Sequence, residues 1–140
     1  MFAPNNVLVS YQYDAGGRVL EADLPGGVTR RYGYFKDNAL KTLKTTRGTA
    51  TLLDLAYTQD GLGRRATLTE ALSGLANRSQ TYDYDALSRV NSVQEGSTTQ
   101  IFAYDPFGNR RTFNDGTTAR VYAYDAAHQL QTVKTGSTDG

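Results

Sequence analysis

Tyr11-Gln12-Tyr13-Asp14-Ala15-Gly16-Gly17-Arg18-Val19 is the stretch on which the fold turns. Tyr11 and Tyr13 are two residues apart, so a strand puts both rings on one face, whereas a helix would separate them by about 200°. Asp14 then begins a turn, because a short carboxylate accepts hydrogen bonds from the backbone N–H groups that follow it. Gly17 supplies the residue that takes positive φ freely. Arg18-Val19 opens a second strand. The nine residues therefore read as a β-hairpin.

The phrase recurs six times. Its second aromatic falls at Tyr13, Tyr34, Tyr57, Tyr84, Tyr104 and Tyr124, with gaps of 21, 23, 27, 20 and 20 residues. The aromatic spacing repeats as Tyr32/Tyr34, Leu55/Tyr57, Tyr82/Tyr84, Phe102/Tyr104 and Tyr122/Tyr124. The positive-φ position is filled by Gly17, Asn38, Gly63, Ser88, Gly108 and His128. Apolar positions of the second strand run Val19/Ala22, Leu40/Leu43, Val90/Val93 and Leu130/Val133, with Arg65/Leu68 and Arg110/Phe113 in the same register. A spacing of three breaks strict alternation, so either a bulge lies between the two or both faces of the sheet are partly covered. Pro25-Gly26-Gly27, Glu95-Gly96-Ser97 and Asp115-Gly116 return the chain. The third copy reads with two extra residues, Phe35 replaces the Asp of the second, and Glu70 to Ala76 reads as a short helical turn or a longer loop.

Six such units give about a dozen strands, more than the ~10 an open twisted sheet usually reaches without curling. The expected fold is all-β: antiparallel hairpin repeats forming one curled or closed, spiralling sheet. It reads as a single domain over residues 1–134 with a frayed tail over 135–140. A period near twenty means that each unit is one supersecondary element leaning on its neighbours.

Composition narrows the function classes. The 140 residues are 39% apolar and 21% charged, which places the chain among globular proteins. Ten Tyr, five Phe and no Trp make tyrosine the principal ring, and its hydroxyl needs a partner or water. A net charge of +1 with no basic run gives nucleic acid or anionic lipid nothing to grip. No Cys is present, which excludes disulfides, thiolate catalysis and cysteine metal sites. Met1 to Asn6 shows no basic region followed by an apolar stretch, so no signal peptide is read there, and no apolar run is long enough for membrane insertion.

The copies Tyr11 to Val19, Tyr82 to Val90 and Phe102 to Arg110 resemble the Rhs or YD-repeat family. The resemblance covers nearly the whole chain. It implies large secreted or surface proteins of bacteria, and the extracellular teneurins of animals, in which many repeats form a long sheet spiralling into a hollow shell. In bacterial toxins of the family that shell encloses a C-terminal toxic segment. It implies as partners the neighbouring repeats or an enclosed polypeptide of a longer parent. Six repeats are few for a large shell, so the chain reads as a short array or a fragment of a longer one. Asp105-Pro106-Phe107-Gly108 resembles the Asp-Pro-x-Gly phrase near the end of bacterial Rhs cores, where self-cleavage occurs.

Enzyme motifs are scarce. Gly-x-Ser-x-Gly, His-Glu-x-x-His, the phosphate loop and the calcium loop are all absent, and no cofactor or metal is expected. The repeat Asp residues, some twenty positions apart, read as turn caps. His128 is the single His and stands where other copies carry Gly, Asn or Ser. It reads as a turn residue, or alternatively as the general base of a small esterase, oriented by Asp125, with Ser10, Ser79, Ser88 or Ser92 as nucleophile. A third reading is glycan binding by the tyrosine rows, Tyr82, Tyr84, Tyr104 and Tyr124. The leading expectation is a structural, non-catalytic repeat domain. Edge strands at Val7-Leu8-Val9 and at Gln129 to Val133 would need closure into a barrel or edge-to-edge dimerisation.

Overall fold

The computed structural model describes residues 8–137. They form twelve strands in one sheet whose spatial order follows the chain from β1 to β12. Successive pairs are hairpins: β1 (Ser10–Tyr13) with β2 (Val19–Leu24), β3 (Val28–Tyr34) with β4 (Leu40–Arg47), and β5 (Ala50–Gln59) with β6 (Arg65–Leu72). The second three are β7 (Arg78–Tyr84) with β8 (Val90–Glu95), β9 (Thr98–Tyr104) with β10 (Arg110–Asn114), and β11 (Thr118–Tyr124) with β12 (Leu130–Ser137). Each hairpin is antiparallel. The chain divides into two compact units, Met1–Ser79 and Gln80–Gly140.

One defect repeats in every hairpin and explains the spacing of three. Tyr13 pairs with Val19 while Gln12 pairs with Glu21, which leaves Leu20 as an extra residue. The same bulge places Lys41, Ala66, Asn91, Arg111 and Gln131 outside the register of their hairpins. A bulge inserts one residue against none on the partner strand, so the side chains on either side of it return to one face. Tyr11 therefore opposes Ala22, Tyr32 opposes Leu43, Tyr82 opposes Val93 and Tyr122 opposes Val133. Phe102 opposes Phe113 with ring centroids 5.5 Å apart.

The third hairpin corrects the alignment read from its tyrosine. Gln59, not Tyr57, pairs with Arg65 beside the bulge, and Tyr57 opposes Leu68. Gln59 is thus the counterpart of Tyr13, and the turn Asp60 to Gly63 carries no extra residues. The repeat positions become 13, 34, 59, 84, 104 and 124. Glu70 to Leu72 belong to β6, and a turn at Ser73-Gly74 follows, closed by Leu75 N–H to Leu72 C=O at 3.0 Å, where a helical turn or loop was expected from residue 70.

Burial is slight. Among the described residues only Ala22, Thr45 and Tyr122 are buried, and no large side chain is fully so. Among the described residues the strands belong to one sheet, and β12 keeps its pairing with β11 as far as Ser137. The first edge strand begins at Ser10, one residue beyond Val9, and Val7 lies outside the described residues.

Candidate functional site

The six turns share one construction. The residue after the second aromatic position donates its N–H to the carbonyl four residues on, and its own carbonyl accepts from the positive-φ residue: Asp14 with Arg18 and Gly17, Asp85 with Arg89 and Ser88, Asp125 with Gln129 and His128. All six expected positions have positive φ, from 60° at Ser88 to 92° at Gly108. In five turns an Asp caps the loop through Oδ1, which accepts from the N–H groups two and four residues later. Phe35 cannot do this. The backbone of its turn is unchanged, and Asp37 takes over by accepting from Ala39 N–H at 3.1 Å.

The second carboxylate oxygen reaches outward along the repeat. Asp14, Asp60 and Asp85 bind the Nε of Arg18, Arg64 and Arg89 at 2.6, 2.7 and 2.7 Å. Arg18 then lies 4.8 Å over the Tyr34 ring of the next hairpin and reaches Asn38 Oδ1 at 2.9 Å. Arg89 lies 4.6 Å over Tyr104 and reaches Asp105 C=O at 3.1 Å. The tyrosines close the loop: Tyr34 donates to Val19 C=O, Tyr104 to Val90 C=O and Tyr124 to Arg110 C=O, at 2.8, 2.7 and 3.0 Å. Carboxylate, guanidinium, ring and hydroxyl thus latch the second hairpin to the first and the fifth to the fourth. The N–H donors hold these carboxyls below their usual range: the Arg89 amide leads for Asp85, the Asn109 side chain for Asp105, and the Gln129 amide for Asp125.

The last latch of Gln80–Gly140 departs from this pattern. Asn109 stands where the Arg would be and donates to Asp105 Oδ2 at 2.8 Å. Its other amide hydrogen faces His128 Nδ1 at 3.1 Å. Because the Asp105 carboxylate requires the Asn109 NH2 on that side, Nδ1 accepts and the imidazole proton resides on Nε2. The His128 ring lies 4.8 Å from that of Phe107. Both border an open hollow of about 600 Å³, with Arg111, Tyr122, Tyr124 and the two aspartates.

The sequence-derived candidates fall as follows. His128 and Asp125 share this hollow, but Asp125 accepts from Ala127, Gln129 and Gln131, and His128 Nδ1 faces Asn109 and not Asp125. None of the residues lining the hollow is a serine. Ser10 donates to Asp23 and Ser92 to Asp83; Ser88 occupies its own turn, and Ser79 borders a polar hollow with Asp54 and Glu70. Tyr124 borders the His128 hollow, Tyr104 is held in a latch, Tyr82 binds Gln80, and Tyr84 opposes Val90. Arg111 was not singled out from sequence, and Phe107 only as the variable residue of the Asp-Pro-x-Gly phrase. The signal was the cation one residue past Arg110, at a bulge that the spacing of three already suggested. Among the described residues no group of acidic and imidazole side chains is arranged to hold a metal.

No family model matches the chain, and no curated protein does. Among solved structures it is similar to a chain in the crystal structure of TcdB2-TccC3-Cdc42, at a TM-score of 0.56 and 13% identity over 93% of this chain and 9% of that one. A chain in the crystal structure of TcdB2-TccC3-TEV is similar at 0.54 and 22% identity, over 92% of this chain and 7% of that one. The protein spans less than a tenth of the length of either. At these identities the likeness is one of fold: an all-β array of hairpins of this kind also occurs as a small part of much longer chains.

Proposed function

We propose that this protein is a structural repeat domain, a wall or scaffold segment of a secreted or surface protein of the Rhs type, whose partners are neighbouring repeats or a polypeptide enclosed by a longer parent. The observation that carries the reading is the latch. Asp14, Arg18 and the Tyr34 hydroxyl, and again Asp85, Arg89 and the Tyr104 hydroxyl, are engaged in joining one hairpin to the next. Among the described residues only three are buried, so strand pairing and these ties carry much of the sheet's rigidity. The resemblance of the repeat phrase to YD repeats and the likeness of fold to short parts of long chains support the same reading.

The test is hydrolysis of p-nitrophenyl acetate by the purified protein and by His128→Ala. The intact protein is expected to exceed His128→Ala by no more than an equal concentration of free imidazole exceeds buffer, without saturation. Turnover of the intact protein that disappears in His128→Ala would overturn the proposal in favour of an esterase.

A further inference from the structure

Two latches of this chain cradle a guanidinium, and the groups of a third cradle stand around an Asn instead of an Arg. We propose that this third cradle, between the last two turns, binds the guanidinium of an arginine side chain presented by another polypeptide.

The two arginine latches give the template. Arg18 donates Nε–H to Asp14 Oδ2 at 2.6 Å, lies 4.8 Å over the Tyr34 ring, and donates from Nη1 to Phe35 C=O at 3.4 Å. Arg89 does the same with Asp85 Oδ2 at 2.7 Å, the Tyr104 ring at 4.6 Å and Asp105 C=O at 3.1 Å. A carboxylate, an aromatic face and a turn carbonyl are what a flat, many-donor cation requires. All three recur one hairpin later as Asp105, the Tyr124 ring and Asp125 C=O. The Tyr124 hydroxyl donates to Arg110 C=O at 3.0 Å, as that of Tyr104 donates to Val90 C=O, so the ring is fixed in the same way. Asp125 C=O accepts from His128 N–H at 3.0 Å. The equivalent Asp105 C=O accepts from Gly108 N–H and from Arg89 together, so such a carbonyl has room for a second donor.

What the sequence changes is the cation. Asn109 places Nδ2 on Asp105 Oδ2 at 2.8 Å, the role of the arginine Nε, and its side chain ends there. Asp105 also accepts from the N–H groups of Phe107 and Asn109, which leaves one of its roughly four lone-pair sites on Oδ2. Arg111 borders the hollow but pairs with neither Asp105 nor Asp125 among the described residues. Two carboxylates against that one guanidinium leave the hollow negative and attract a further cation. At about 600 Å³ it admits a long side chain, and Phe107, 76% exposed, offers apolar surface to the methylene stem. A lysine ammonium meets the carboxylate but cannot lie flat on Tyr124 while reaching the carbonyl. The inference adds a ligand to the wall reading and does not depend on it.

Titration of the labelled protein with N-acetyl-arginine amide and N-acetyl-lysine amide at matched ionic strength, followed by amide chemical shifts, tests this. The arginine compound is expected to bind with a Kd on the order of millimolar and to move Asp105, Tyr124 and His128, leaving Arg18 and Tyr34 unmoved. The lysine compound is expected to bind about five-fold more weakly or less. Asp105→Asn is expected to weaken arginine binding about ten-fold. Asn109→Arg rebuilds the latch made by Arg89, so it keeps the fold while occupying the cradle from within, and it too is expected to weaken binding about ten-fold or more. Absence of shifts with the arginine compound, equal affinity for the lysine compound, or undiminished binding by Asn109→Arg would overturn the proposal.

Discussion

Asp85 does three things at once: it caps its own turn, holds Arg89, and through Arg89 supports Tyr104 of the next hairpin. Its carboxyl lies below the ordinary value of 3.8, first because of the Arg89 amide. A carboxyl lowered on folding contributes stability above its unfolded pKa and loses that contribution as pH falls through the folded one. Asp14, Asp105 and Asp125 are lowered in the same direction. Urea midpoints are therefore expected to hold steady from neutral pH to about pH 4 and to fall below it. Asp85→Asn should have a lower midpoint than the parent at pH 7, and the gap should close under acid; a gap independent of pH would refute the assignment. The turn glycines separate a torsional effect from a steric one. A Cβ at Gly17 would meet nothing within 4 Å, yet φ is +79°, so Gly17→Ala is expected to cost about 1–2 kcal/mol from backbone strain alone. Gly61 has the same open space without positive φ, and Gly61→Ala should be near neutral by the same urea titration.

At the scale of the element, the tie between hairpins is measurable through its hydroxyls. Tyr34→Phe and Tyr104→Phe each keep the ring under its guanidinium and remove one hydrogen bond, to Val19 or Val90 C=O. Each is expected to lower stability by roughly 0.5–1.5 kcal/mol in chemical denaturation. A change inside error at both sites would mean that the hydroxyls are not structural. Much of this scale was legible in the sequence. Aromatic pairs two apart specified strands, the Asp-to-Gly interval specified turns, and the positive-φ positions extended correctly to Asn38, Ser88 and His128, because each of these signals is local. The third hairpin was misaligned for the converse reason. Tyr57 is a tyrosine in a strand that pairs like the first aromatic of its copy, and Gln59 fills the second place without a ring, so identity and register disagree. Only the pairing with β6 decides between them. Arg111 was missed likewise: a bulge redirects its side chain, and which strand residue is the extra one depends on cross-strand pairing.

For the molecule as a whole, the 39% apolar content read as globular, and the structure spreads it along strands in which, among the described residues, only Ala22, Thr45 and Tyr122 are buried. Composition counts apolar residues but carries no information on how many layers share them. The consequence lies at the two ends of the strand order. Among the described residues β1 has only β2 as its neighbour, and β12 only β11. All four residues of β1 are exposed, and so are Leu130 and Val133 of β12, at 53% and 47%. A long edge with unpaired N–H and C=O groups and exposed apolar side chains is a template for another strand. The protein is therefore expected to associate through β12 at micromolar to millimolar concentration, with slow amide exchange along that strand at high concentration and fast exchange on dilution. A lysine on such an edge opposes pairing through its charge and its hydration. Thr132→Lys, at an exposed position opposite the exposed Ala123, should shift sedimentation towards monomer while leaving the latches of the other hairpins, and hence the urea midpoint of the dilute protein, nearly unchanged. Sedimentation as a monomer at every concentration, with fast exchange at both β1 and β12, would show that the edges are protected by their own twist and that assembly into a wall needs a covalent continuation of the repeat.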